Sequence, residues 1–224
     1  KEYIKNLQTP IVIVGLGKSG HAALNLLKHF NFSSNDLKTF DAKDPLADFN
    51  QPLDVIDLKP KTLVVSPGVP LQSDWIQTLK SRGTHITSEI SLAVTTLEKE
   101  KIIGVTGAVG KSTTVSILGA GVTSFDSNAF VGGNLGIPFC EYALQTLKQV
   151  RTRAQWVILE LSSYQLENCK NLQLQSSAIT YLTANHLERY SSIEEYYLTK
   201  LSIAKITLQS CFLNAHGGDN ISFS

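Results

Sequence analysis

No methionine occurs in the 224 residues, although an intracellular chain of this size ordinarily carries several. The absence, together with the polar, Gly-rich ending NAHGGDNISFS, leads to the expectation that the sequence is a piece of a longer chain or lacks internal residues. The stretch between Thr114 and Val131 is the least anchored by any motif. Cysteine is scarce. Cys140, Cys169 and Cys211 show no CxxC spacing and cannot all pair, which excludes a disulfide scaffold and a structural zinc site and favours a reduced, cytoplasmic setting. Charge of one sign is missing too: 20 Lys+Arg against 19 Asp+Glu leaves a net +1, which argues against a nucleic-acid partner. No apolar run approaches the roughly 20 residues of a membrane span, and the opening KEYIKNLQTP is no secretory signal. What is present suits a packed core: 42% hydrophobic and 17% charged residues, in a length that fits two ordinary domains or one large one.

Strand and helix patterns alternate along the chain. Ile11-Val12-Ile13-Val14 is a continuous β-branched run of the kind buried on both faces of a parallel sheet. It leads into Gly15-Leu16-Gly17-Lys18-Ser19-Gly20 and then into a helix with Ala22, Ala23, Leu26, Leu27 and Phe30 on one face. Further strands are expected at 37–40, 62–65 and around 85–87, with a short helix over 75–80. The charged patch Glu98-Lys99-Glu100-Lys101 precedes a fresh apolar strand, Ile102 to Val105, so the domain boundary is placed between residues 97 and 98. Beyond it come a second glycine loop, a Gly-rich segment at 131–136, strands at 156–159 and around 178–182, and an amphipathic helix from about Ile193. The pattern is α/β with parallel sheets, in two tandem domains.

Gly15, Gly17 and Gly20 satisfy G-x-G-x-x-G between a strand and a helix, where the glycines permit a tight turn and the helix start attracts phosphate. Asp41, 21 residues after Gly20, ends the second strand and can accept from a ribose hydroxyl. A tight βα turn without ligand competes with this reading, and NAD, FAD and a nucleotide-sugar all stay open. The second loop, Gly104-Val105-Thr106-Gly107-Ala108-Val109-Gly110-Lys111-Ser112-Thr113-Thr114, has the Gly-Lys-Ser core of a triphosphate cradle. Such a core supplies backbone N–H groups, a lysine for the β/γ charge and a hydroxyl for Mg²⁺. It departs from the strict pattern because Val105, not glycine, lies five before Gly110. ATP or GTP is expected, with Glu160 at the end of its strand holding Mg²⁺.

Lys200 interrupts an otherwise apolar helical stripe, Ile193, Tyr196, Tyr197, Leu201 and Ala204. Taken alone it reads as a lysine snorkelling to solvent, since a buried ammonium is costly. His186 alone reads as an ordinary loop or core histidine.

The ordered motifs change that weighting. They are Ile13 to Gly17, Ser66-Pro67-Gly68, the second glycine loop, Gly132-Gly133-Asn134-Leu135-Gly136, Leu159-Glu160-Leu161-Ser162-Ser163-Tyr164-Gln165-Leu166-Glu167, His186 to Tyr190, and Lys200-Leu201. With them the chain resembles the Mur ligases of peptidoglycan synthesis, most of all the members that add D-glutamate. The resemblance implies a Rossmann-like N-terminal domain (1–97) that binds the UDP part of the substrate. It implies a P-loop-type α/β central domain (98–224), incomplete here, and a third domain with no counterpart in these residues. The implied reaction is ATP-dependent amide-bond synthesis. The carboxylate of UDP-N-acetylmuramoyl-L-alanine takes the γ-phosphate to form an acyl phosphate, from which the amine of D-glutamate displaces phosphate, serving the cell wall and through it cell shape and division. Gly15, Leu16, Gly17, Asp41, Lys43 (where the family usually has arginine), Ser66, Pro67 and Gly68 match the UDP site. Gly107, Gly110, Lys111, Ser112 and Thr113 match the ATP site. Ser112, Glu160, His186 and a carbamylated Lys200 match Mg²⁺ positions, and Asn134, Ser162 and Gln165 match substrate positions. Lys111, Asn134, His186 and Lys200 carry the implied catalytic roles. A cytoplasmic monomer is expected, and this chain alone is expected to be inactive.

Three further positions depart from the family pattern: Val109 where asparagine is common, Asn185 where aspartate is usual, and Glu188 in place of aspartate. They imply weakened ATP or Mg²⁺ binding and keep a degenerate nucleotide-binding paralogue as the alternative. A folate-type ligase is disfavoured by the Gly15–Gly17 loop and the Ser66–Gly68 turn, and a dehydrogenase, which rests on the first loop alone, by that turn and the second loop.

Overall fold

A computed structural model describes residues 1–185 and 189–218. In chain order the first elements are α1 (Glu2–Lys5), β1 (Ile11–Val14), α2 (Lys18–His29), β2 (Leu37–Phe40), α3 (Pro52–Leu58), β3 (Thr62–Val65), α4 (Asp74–Ser81), β4 (His85–Thr87) and α5 (Glu89–Val94). They are followed by β5 (Lys101–Thr106), α6 (Lys111–Thr123), β6 (Phe130–Gly133), α7 (Phe139–Leu147), β7 (Trp156–Glu160), α8 (Ser163–Leu166), β8 (Leu174–Ile179), α9 (Ile193–Leu201), a 3₁₀ turn (Ser202–Ile206) and β9 (Thr207–Leu213). Two compact units result: one from Lys1–Leu97, Pro138–Lys148 and Asn168–Lys170, the other from Glu98–Ile137, Gln149–Glu167 and the chain from Asn171 onward.

In the first unit four parallel strands run in the order β2-β1-β3-β4. β1 is central and all four of its side chains are fully buried, each contributing about 2 kcal/mol of transfer free energy. Val12, Val14, Leu63 and Val65 form one face of the core with Phe40, Val55, Ile76 and Leu79. α2 buries Ala22, Ala23, Leu26 and Leu27, the helical stripe its spacing predicts. Lys28 and His29 in its last turn complement the negative end of the helix dipole. α7 follows the Gly-rich segment in sequence, yet it packs on α2 and α5 of this unit.

The second unit has five parallel strands in the order β6-β7-β5-β8-β9. Val105, Val115, Val122 and Ile158 form a core under α6. β8 differs from its expected place at 178–182. It spans Leu174–Ile179 and pairs with β5 where Ile103 to Thr106 align with Ser176 to Ile179, and Tyr181 turns instead into an antiparallel bridge with Val109. The Gly-rich segment contains β6, which sequence reading left unassigned: a Cβ on Gly132 would lie 2.3 Å from the Ile137 carbonyl oxygen, so only glycine lets this strand and turn close together. α9 is capped by Ser192, whose hydroxyl accepts from the Glu195 amide. Its apolar stripe ends sooner than predicted. The chain tightens after Leu201, and with three residues per turn Ile203 takes the buried place while Ala204 is exposed. Among the described residues, no helix is long and apolar enough to cross a membrane.

Candidate functional site

The first unit gathers its predicted substrate residues at the carboxyl ends of three neighbouring strands. The turn after β1 is held from both sides. Gly15 N–H donates to the Phe40 carbonyl (2.8 Å) and the Ser66 hydroxyl donates to the Gly15 carbonyl (2.7 Å). Gly15 has φ +86°, and a Cβ on Gly20 would sit 1.9 Å from the Gly15 oxygen, so helix and strand touch backbone to backbone. Asp41 accepts Leu16 N–H at 2.8 Å on one oxygen and the amides of Lys43 and Asp44 on the other. These bonds, Leu16 foremost, hold its carboxyl below the usual range. Asp41 therefore shapes the loop it was expected to face, engaging the Leu16 amide, while the oxygen that binds Leu16 keeps a lone pair for a ligand hydroxyl. Lys43 and Gly68 are exposed beside it and Pro67 is half-buried.

In the second unit the phosphate loop joins β5 to α6. Gly107 (φ +147°) lies so close to β8 that a Cβ would stand 2.1 Å from Thr180 Oγ1, and Gly110 (φ +89°) opens α6 without a side-chain cap. Ala108 N–H donates to the Tyr181 carbonyl (2.6 Å) and Thr180 Oγ1 donates to the Val109 carbonyl (2.6 Å), which pins the loop open across the strand ends. Ser112 and Thr113 are exposed in the first turn of α6.

Two lysines meet at one atom here. Lys111 Nζ donates to the carbonyls of Gly107 (2.8 Å) and Ala108 (2.9 Å), and Lys200 Nζ donates to the same Gly107 oxygen at 2.9 Å. Lys200 is 2% exposed and lies over the Tyr196 ring at 4.8 Å, so it does not snorkel. Burial, and secondarily the charge of Lys111, bring its pKa down to about 7. Burial also lowers Lys111, with Glu160 opposing.

Glu160, at the end of β7, is 2% exposed; its Oε1 accepts Asn134 Nδ2 (3.0 Å) and its carbonyl accepts Asn134 N–H (2.8 Å). Asn134 and Glu160, named separately from sequence as substrate and Mg²⁺ residues, are thus in direct contact. Ser162 and Gln165 bond each other: the Ser162 hydroxyl accepts Gln165 N–H and Gln165 Oε1 accepts Ser162 N–H, a reciprocal cap for α8. His186 lies outside the described residues.

Sequence reading did not find Thr180, Tyr181 or the segment Phe212–Asn214. With Val109, Gly110, Thr114, Ala178 and Ile179 they line a largely apolar cavity of about 620 Å³ beside the phosphate loop. The rule that ligands collect at the carboxyl ends of parallel strands points to this edge, but no motif marks the residues.

The Mur ligase middle domain model matches residues 105–216, half of the chain. UDP-N-acetylmuramoylalanine–D-glutamate ligase of Rippkaea orientalis is 32% identical over 223 residues, covering 93% of this chain and 48% of that protein. The enzyme of the same name from Myxococcus xanthus is 35% identical, covering 93% and 46%. The chain spans about half the length of the curated relatives it matches. Among solved structures, UDP-N-acetylmuramate:L-alanyl-gamma-D-glutamyl-meso-diaminopimelate ligase of Neisseria meningitides shares the fold with TM-score 0.55 and 14% identity, over 96% of this chain and 74% of that one. A murein peptide ligase from Psychrobacter arcticus does so at TM-score 0.52 and 16% identity, over 96% and 51%. Phosphate loop, paired Asn134 and Glu160, and buried Lys200 all fall inside the matched span, and the chain belongs to the Mur ligase family.

Proposed function

We propose that this chain serves the ATP-dependent addition of D-glutamate to UDP-N-acetylmuramoyl-L-alanine in peptidoglycan synthesis, in the cytoplasm and as a monomer. Residues 1–97 are assigned the UDP end of the substrate and residues 98–224 the nucleotide triphosphate. The observation that carries the reading is the meeting of Lys111 and Lys200 on the Gly107 carbonyl, which sets at the mouth of a phosphate loop one lysine to bring positive charge to phosphate and a second whose amine can carry the carbamate. Phosphoryl transfer asks mainly for such charge and alignment. Relatives named for this reaction at 32% and 35% identity support the choice of D-glutamate.

Mg²⁺ fits the donors. Ser112 offers a hydroxyl and Glu160 a carboxylate, hard oxygens of the kind Mg²⁺ takes alongside phosphates and water. Among the described residues no group of three or more His, Cys, Asp or Glu could hold a metal without such help. Bound there, the ion would neutralise phosphate charge. Asn134 would hold the Glu160 carboxylate in place, and Lys111 would turn from the loop carbonyls to phosphate oxygens. A pKa of about 7 leaves much of Lys200 as free amine at neutral pH, the form that reacts with CO₂ to give a carbamate and a proton; this supports the expected carbamylation. The apolar cavity between Tyr181 and Phe212 suits a purine base.

The test has two parts. Calorimetric titration of this chain with MgATP, with Lys111→Ala as control, examines the triphosphate site. In the whole protein, phosphate release must depend jointly on UDP-N-acetylmuramoyl-L-alanine, D-glutamate and Mg²⁺. MgATP binding without such release points to the degenerate paralogue, which the apolar Val109, 60% exposed on the phosphate loop, favours.

A further inference from the structure

Glu167 has no role in the reading above, yet it closes α8 with most of its side chain out of water. One oxygen accepts the Tyr190 hydroxyl at 2.5 Å and the other pairs with Arg189 Nη2 at 3.2 Å. Arg189 in turn lies over the Tyr164 ring at 3.9 Å, so the ion pair is backed by an aromatic face. From this anchor an aromatic ladder runs to α9: Tyr190 packs on Tyr196 with centroids 5.3 Å apart, and Tyr196 forms the floor under the Lys200 ammonium. Tyr190, Tyr196 and Lys200 are all buried. A half-buried, charge-assisted pair is geometrically demanding, whereas aromatic contacts alone tolerate sliding.

We propose that Glu167 is a positioning residue for Lys200, fixing Tyr190 and through it the Tyr196 ring, so that the amine stands at the Gly107 carbonyl of the phosphate loop. The inference rests on the proposed nucleotide site. Its geometry is independent of which amino acid the ligase adds.

A thermodynamic cycle on MgATP affinity tests it, because two residues acting in one unit are non-additive. Glu167→Gln keeps the shape and an acceptor for Tyr190 but removes the charge that holds Arg189. It is expected to weaken MgATP binding roughly five-fold in the wild-type background, the size of a coupling between interacting side chains. In a Lys200→Met background it is expected to have no further effect. Equal weakening in both backgrounds means that Glu167 merely supports the fold, and unchanged affinity in the first means that it positions nothing; either overturns the proposal. Should Glu167→Gln not fold, Tyr190→Phe, which deletes a single hydrogen bond, runs through the same cycle and decides. Should the wild-type chain bind no MgATP, the nucleotide reading falls. The positioning is then read from the acylation rate of Lys200 by an amine reagent at one fixed pH, followed by peptide mass spectrometry. A several-fold change in Glu167→Gln or Tyr190→Phe supports it, and an unchanged rate overturns it.

Discussion

Glu89 opens α5 as a carboxylate 3% exposed, receiving the Cys140 amide on Oε1, while the Cys140 thiol donates to the Glu89 carbonyl. It thus caps α7, which has no side-chain cap of its own. No cation is among the causes acting on it, and burial raises its pKa from 4.5 to about 7 against the opposing hydrogen bonds from Cys140 and Phe139. The sign follows. Between pH 4.5 and about 7 the folded chain binds more protons than the unfolded one, so this group's contribution is full below 4.5 and is lost as pH rises through the folded value. The shift corresponds to about 3 kcal/mol, a large share of the 5–15 kcal/mol typical of a domain. Burial and the Glu89 charge push the Cys140 thiol well up, so it stays neutral throughout. The assay is urea unfolding at a series of pH values, wild type against Glu89→Gln. The variant has nothing to titrate, so its stability relative to wild type should rise by about 3 kcal/mol across the window, and subtraction cancels background titration such as that of His85. A flat difference, or one that falls with pH, would refute the reasoning.

Further outcomes are expected elsewhere in the chain. Gly20→Ala places a methyl against the Gly15 carbonyl, so a loss of about 3 kcal/mol or more should appear as a lowered melting temperature; a change under about 0.5 kcal/mol would contradict the close packing. Lys111→Ala should weaken MgATP binding by about 10- to 100-fold, as loss of a charge-assisted bond does, with melting little altered. Lys200→Met should be more stable than wild type at neutral pH and below, the advantage shrinking as pH rises from about 7 toward 10.5, because the unfolded lysine holds its proton longer; parallel stability curves would show that the amine is not held deprotonated. Val109→Asn should tighten MgATP binding, and an unchanged dissociation constant would remove the argument that this loop is weakened.

Strands with continuous apolar runs, such as Ile11–Val14 and Trp156–Leu159, were legible because a strand buried on both faces admits little else. Helices with a clear stripe, α2 and α9, were legible for the matching reason. β6, with two glycines, and β9, largely exposed at the sheet edge, carry no periodicity, and the packing of α7 on α2 and α5 depends on partners distant in sequence. The phosphate loop was marked by residue type and spacing, since a turn that cradles phosphate needs glycines and a lysine in fixed order, and Glu160 by its place at a strand end; Lys200 was named a site residue only through the family resemblance. Whether Lys200 reaches solvent is a different kind of question: its spacing permits snorkelling, and only the Tyr196 ring and the Gly107 carbonyl, 93 residues away, keep it inside. Likewise Asp41 and Ser66 could be named as site residues, but their bonds to Leu16 and Gly15 arise where three strands end side by side. Local chemistry is written along the chain, because it needs only neighbours within a few residues. Burial, shared acceptors and shifted pKa values belong to the tertiary structure, because they are set by groups that the sequence keeps far apart.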